Sequence, residues 1–320
     1  MRIRHLCCLA AIAVSGSGAG LLTMSYASVG DQADRLAAVR AKANCLMPDG
    51  WEQVAERKPR FVIFGENHGT KEAPKFVGDV ACALAAKGEH VLVAVEHDAI
   101  HNPAFQAAWS LQPSQFEAAL RLAGWKGRED GVTSEAMFQL LVRLHSLKDA
   151  GGLISIVAFN GARDEAQRER FKALPGQGPH EAAQAENIRL ASRQRRYDHV
   201  LVLVGNLHAR KREIGREGYT FKPMAMTLAP PDEIVTLNMA AAKGTSWDCV
   251  LKPGYKRTAG KKIMAGDIEC GVHFYSGDGD LRHLPFISLR PLAGIASDEN
   301  YDGLYWLGNV NGSKPAVPKS

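Results

Sequence analysis

Four short apolar runs in this chain each end on residues able to do chemistry. Phe61–Phe64 runs into Gly65-Glu66-Asn67-His68. Val91–Val95 runs into Glu96-His97-Asp98. Leu153–Phe159 is followed by Asn160, with Arg163 and Asp164 just beyond, and Val200–Val204 by Gly205-Asn206-Leu207-His208. A carboxylate next to an imidazole can move a proton near neutral pH or hold a metal ion. The spacing Gly-x-x-His occurs twice, at Gly65–His68 and Gly205–His208. Glycine allows a sharp turn and a close approach of backbone to ligand. The candidate acid–base residues are therefore His68, Glu66, Glu96 and His208, and His68, His208 and Glu66 are the candidate metal ligands. Asn67, Asn160, Arg163, Glu186 and Asn206 are candidates for contacting a substrate. The structural alternative is that each His caps a helix and that Glu96 pairs with an arginine.

These residues need a frame that brings them together. The four runs are continuously apolar and rich in β-branched residues, as in strands buried on both faces of a parallel sheet. Helical patterns lie between them. Pro74 suits a first turn, with Phe76, Val77, Val80, Ala81 and Leu84 on one face. Ser134 is a candidate N-cap for a helix that stops at Gly151-Gly152, and 181–196 also reads as a helix. The alternation predicts an α/β fold with a mainly parallel central sheet and helices on both faces. Ligands of such sheets bind outside the carboxyl ends of the strands, where all four motifs fall. Met224–Leu228 and Glu233–Met239 read as short strands, 240–284 as a loop-rich, disulfide-pinned flap, Tyr301–Leu307 as a last strand, and 311–320 as a disordered tail. The domain is expected to span 28–310. His97, His101, His145 and His180 read as solvent-facing or structural.

The N-terminus has the pattern of a secretory signal over residues 1–27. Arg2, Arg4 and His5 precede the apolar run Leu6–Val14, and Ser25-Tyr26-Ala27 resembles a cleavage site. The run is short for a membrane span, although an uncleaved anchor is the alternative. Export implies an oxidising compartment. Cys45, Cys82, Cys249 and Cys270 remain after cleavage and allow three pairings, of which Cys45–Cys82 with Cys249–Cys270 joins nearest neighbours in sequence. No Cys-x-x-Cys spacing is present, which argues against a thiolate zinc site. The formal charge of +5 includes two arginines of the signal, so the exported protein is only mildly basic and no nucleic-acid partner is expected.

Gly65-Glu66-Asn67-His68-Gly69-Thr70-Lys71-Glu72 resembles the Gly-Glu-x-x-His-Gly-x-x-Glu signature of the erythromycin esterase-like proteins. The paired Gly-x-x-His motifs resemble those of the Tiki and TraB proteins, and the ChaN-like haem-binding proteins belong to the same wider group. Ala185-Glu186-Asn187-Ile188 is similar to the Met-Ala-Glu-Asn segment of the esterases. His180-Glu181 stands where the esterases show Arg-Asp. The esterase resemblance implies His68 as general base, Glu66 and Glu96 as orienting or polarising groups, and His208 as an assistant. The Tiki resemblance implies a divalent metal on His68, His208 and a Glu, with a bound water as nucleophile. Both give an exported hydrolase acting on an ester or amide of a small molecule or peptide. The ChaN resemblance implies a haem- or iron-binding protein without catalysis. A third possibility is a family member that has lost its chemistry and serves as an interaction module.

Overall fold

The computed structural model describes residues 34, 39, 45–216, 218–255, 263–281 and 283–318. The expected signal segment, 1–27, lies outside them. The chain runs α1 (Trp51–Glu56), β1 (Phe61–Glu66), α2 (Glu72–Ala85), β2 (Val91–Asp98), α3 (Asn102–Trp109), α4 (Pro113–Arg121), α5 (Glu135–Asp149) and β3 (Ile154–Asn160). It continues with α6 (Glu165–Phe171), α7 (Gly178–Ser192), β4 (His199–Gly205), β5 (Ile214–Arg216), β6 (Tyr219–Phe221), α8 (Met224–Leu228) and β7 (Ile234–Ala240). The last strands are β8 (Gly244–Leu251), β9 (Ile268–Tyr275), β10 (Phe286–Ser288) and β11 (Gly303–Trp306).

Seven strands form one sheet in the order β10-β11-β7-β1-β4-β2-β3, and every pairing is parallel except β10 with β11. Alternate residues of the central strands enter two separate apolar clusters. Val62, Phe64, Val93, Val95, Leu201 and Leu203 pack with α2 and α5 on one face. Phe61, Ile63, Leu92, Ala94, Val200 and Val202 pack with α7 and α8 on the other. The continuous apolar runs thus reflect burial on both faces. The chain steps outward from β1 through β2 to β3, then back to β4 and on to β7. Right-handed crossovers put the helices of the outward steps on one face and those of the return steps on the other. The return inserts β4 between β1 and β2, and this placement builds the site.

Three expectations need correction. Met224–Leu228 is a helix rather than a strand, with Met224, Ala225 and Leu228 buried on one side after Pro223. A five-residue apolar piece does not reveal its period, and packing against α7 decides it. The region expected as a loop-rich flap contains a β8–β9 hairpin of eight residue pairs, including Cys249 opposite Cys270. The stretch expected as a disordered tail is pinned as far as the described residues reach. Asn311 and Ser313 pair with the backbone of Lys71 and Gly69, Lys314 accepts from Glu135 N, and Ser313 Oγ accepts from Ala136 N. The start of α5 leaves backbone donors without helical partners, and the tail satisfies them. Both expected disulfides, Cys45–Cys82 and Cys249–Cys270, are present.

Candidate functional site

Glu66 ends β1, Glu96 lies near the end of β2, and Gly205 ends β4 between them. The register between β2 and β3 shifts between Val95 and Asp98, an irregularity that re-aims side chains at a strand end. A Cβ on Gly205 would come within 2.8 Å of His68 Nε2 and 3.4 Å of Glu96 Oε2. Glycine is required here because side chains from both flanking strands meet over this position. Its backbone N–H, freed at the strand end, donates to Glu96 Oε2 at 2.6 Å. On the far side, Gly131 lets its loop pack directly on His68 and Gly69, where a Cβ would lie 2.6 Å from the His68 carbonyl carbon.

The result is an unbroken chain of five ionisable groups. Glu66 Oε1 is 2.8 Å from His68 Nδ1, and His68 Nε2 is 3.3 Å from Glu96 Oε2. His208 Nε2 lies 3.5 Å from the other oxygen of Glu96, and His208 Nδ1 lies 2.8 Å from Glu181 Oε1. Glu181 also accepts from the backbone N–H of Met224 at 2.8 Å, which ties the start of α8 to the site. The three carboxyl groups are buried, at 2%, 5% and 0% exposure for Glu66, Glu96 and Glu181, whereas the His68 side chain is 26% exposed. The imidazoles are therefore the members of the chain that solvent reaches.

Burial disfavours every charge in this chain, so the proton distribution follows the pairing. For Glu96, burial is outweighed by His68 and His208 together with the Gly205 N–H, and its pKa is lowered to about 2. Burial also works against the His68 imidazolium, but Glu96 and Glu66 outweigh it and raise the pKa well above 6.5. His208 is raised for the same reason, by Glu96 and Glu181 against burial. Glu66 is raised, because burial prevails over its bond to His68, and its Oε2 is buried without a partner.

The sequence-predicted contact residues divide into two groups. Asn67 and Asn206 bond each other at 3.3 Å beside the chain, and Asn67 also donates to Tyr275 Oη of the hairpin at 3.1 Å. Asn160 bonds Asp98 and Gln184 next to it. Arg163 and Glu186 form a separate network with Asn187, Gln167 and Arg170, in which no bond reaches His68, Glu96 or His208. His97, read as structural or solvent-facing, is buried and stacked on Trp125, and burial lowers its pKa to about 4. His180, given the same reading, instead lines an open cleft with Leu207 and His208, its ring 5.6 Å from that of His208. Glu181 was missed as a site residue. The sequence carries no sharp signal for it, because the buried face of α7 mixes Glu181, Gln184 and Asn187 with Ala185 and Ile188.

The proposed metal ligands do not converge. Glu66 is engaged behind the His68 ring, on Nδ1, while Nε2 faces Glu96. Among the described residues, no group of three or more His, Cys, Asp or Glu side chains is disposed to hold a metal ion. Both ring nitrogens of His68 and of His208 face carboxylates, whereas among the described residues His180 has only Nε2 engaged, on Gln184. Among the described residues, no helix is long and apolar enough to cross a membrane.

The architecture matches solved structures. An erythromycin esterase variant, EreC in its open conformation, superposes with a TM-score of 0.56 over 81% of this chain and 93% of its own, at 11% identity. The chain has the fold of an erythromycin esterase. A succinoglycan biosynthesis protein gives a TM-score of 0.56 at 12% identity, covering 90% of this chain and 99% of its own. A Bacillus cereus protein gives 0.53 at 12% identity, covering 88% and 99%. No protein-family model matches the sequence, and no curated protein does. At such identities the erythromycin esterase fold is what the likeness establishes, and the chemistry has to come from the residues.

Proposed function

We propose that the protein is an exported hydrolase in which His68 activates water against an ester or amide. The observation behind this reading is the chain Glu66–His68–Glu96–His208–Glu181, buried at its carboxyl groups and open at its imidazoles. For His68 to act as base, the Nε2 proton that faces Glu96 must first leave to solvent, after which Glu66 on Nδ1 holds the tautomer whose Nε2 can take a proton from water. His68 Nε2 then takes the proton of the attacking water as its oxygen bonds the carbonyl carbon. The tetrahedral intermediate breaks its bond to the leaving group, and His68 returns the proton to that group. Glu96, ionised between two imidazoles, offsets the positive charge that develops on His68 and holds His208 in place. The fold of an erythromycin esterase supports the reading, and the two disulfides support export.

An ester panel headed by p-nitrophenyl acetate tests this. His68→Ala is expected to lower kcat by roughly 10²–10⁴-fold, the usual contribution of a positioned acid–base group, with the fold retained. Turnover that survives the substitution, or loss of the fold with it, would remove His68 from the chemistry. A Soret band on haem titration, absent in His68→Ala and His208→Ala, would instead favour haem binding.

A further inference from the structure

His68 and His208 each stand between two carboxylates, which engage both nitrogens of each ring. A third imidazole differs. His180 lines an open cleft of about 580 Å³ together with Gly176, Gln177, Pro179, Leu207 and His208. One of its nitrogens is held by a directional chain that begins at a surface ion pair.

Arg128 binds Asp98 at 2.6 Å, and burial of Asp98 is outweighed by this arginine, which keeps its pKa low. An ionised carboxylate only accepts, so Asn160 must turn its Nδ2 toward Asp98, at 3.0 Å. That leaves Asn160 Oδ1 facing Gln184, which must answer with Nε2, at 2.9 Å. The same Nε2 lies 2.9 Å from His180 Nε2. With one hydrogen on Asn160 and the other on His180, Gln184 makes His180 Nε2 an acceptor. Turning the amide would satisfy the buried, unpartnered Gln184 Oε1 only by setting it against Asn160 Oδ1. The ring proton therefore resides on Nδ1, for which the described residues supply no acceptor.

We propose that His180 is a substrate-contacting residue that presents its Nδ1–H to the carbonyl oxygen of the bound ester or amide. Burial and the neighbouring His208 lower its pKa, against the pull of Glu181, Glu96 and Asp98, in keeping with an Nε2 that accepts from Gln184. A fixed neutral donor needs no reorganisation as negative charge grows on the oxygen. Gln184, Asn160 and Asp98 are positioning residues that act through it. The inference rests on the hydrolase reading for its role, though not for its tautomer.

Two measurements test it. With p-nitrophenyl acetate, His180→Ala should lower kcat by about 10²–10³-fold, the usual loss for one oxyanion donor, with KM little changed. His180→Asn, which keeps a donor, should recover part of that loss. In ¹⁵N spectra of histidine-labelled protein, the signal absent from His180→Ala should report Nδ1–H, and Gln184→Met should let it shift toward Nε2–H. An Nε2–H ring in the wild type, or a kcat within about threefold of wild type in His180→Ala, would overturn the inference while leaving His68 untouched. Should the wild type hydrolyse no ester or amide, the hydrolase reading falls, and methylphosphonate, a tetrahedral anion, decides the donor role by itself. Perturbation of the His180 Nδ1–H signal on titration upholds it, and no perturbation up to the solubility of the probe overturns it.

Discussion

Two polar clusters stand near the carboxyl edge of the sheet, and both hold the residue types from which sites are built. Around Arg163, every partner is matched. Its guanidinium meets Glu186, Asn187 and Asp164, Gln167 bonds Glu186 and Asn187, and Asn187 closes the set on the carbonyls of Phe159 and Gly161. Around Glu96, the balance is incomplete. Glu66 keeps a buried oxygen without a partner, two imidazoles share one carboxylate, and both imidazoles face a cleft or solvent. A network that satisfies itself holds α6 and α7 onto β3. A network with protons still to place can exchange them with a ligand. Residue type did not separate the two, because both offered charged groups after a strand.

The sharpest way to test the contrast is Glu96→Gln. Its carboxylate is the leading favourable influence on both His68 and His208. A base must be neutral to act, so the rate should rise tenfold per pH unit below the His68 pKa and level off above it, with that pKa lying well above 6.5. Removing the carboxylate removes what raised it. The rising limb should move to lower pH, and kcat on the plateau should fall by about 10²-fold or more as the positive charge on His68 loses its partner. A limb that stays in place would show that His68 is not the titrating base.

Arg163→Met makes the opposite demand. The side chain leaves Glu186 and Asn187 short of a donor, which should cost about 1–3 kcal/mol and lower the melting temperature by a few degrees. Turnover at 25 °C should remain within about twofold of wild type, because no bond links this cluster to the Glu96 chain. A large fall in kcat at unchanged stability would move Arg163 into the site after all.

The sequence made the frame legible because strands buried on both faces cannot hide their apolar runs. It also placed Glu66, His68, Glu96 and His208, since each follows its run directly. Glu181 was less legible. It reaches the site from α7, more than twenty residues before the His208 it binds, on a helix face that also buries Gln184 and Asn187, so polarity did not single it out. His180 was read as solvent-facing or structural for a related reason: its orientation depends on a carboxylate and two amides from three separate elements, which no spacing encodes. The tail and the hairpin failed for a third reason. Their order comes from backbone groups offered by Gly69, Lys71 and Glu135, and sequence patterns do not display unpaired backbone.

The two disulfides extend the comparison to stability and give the smallest expected effect on turnover. Cys45–Cys82 spans 37 residues and ties the segment before α1 to the buried face of α2. Chain-entropy reasoning gives such a closure about 4 kcal/mol, so a Cys45→Ser, Cys82→Ser pair should lower the melting temperature of the whole domain. Cys249–Cys270 spans 21 residues inside a hairpin that already has eight paired positions. Its loop term is nearly as large, about 3 kcal/mol, but it acts on a hairpin that can open by itself. The hairpin touches the site through Trp247 N on the Gly69 carbonyl and Tyr275 on Asn67. Cys249→Ser with Cys270→Ser should therefore leave the main transition nearly unmoved, raise hydrogen exchange over β8 and β9, and change kcat by no more than about threefold. A domain-wide drop in melting temperature from this pair would mean that the hairpin folds as one unit with the sheet, and that the site depends on it more than two contacts imply.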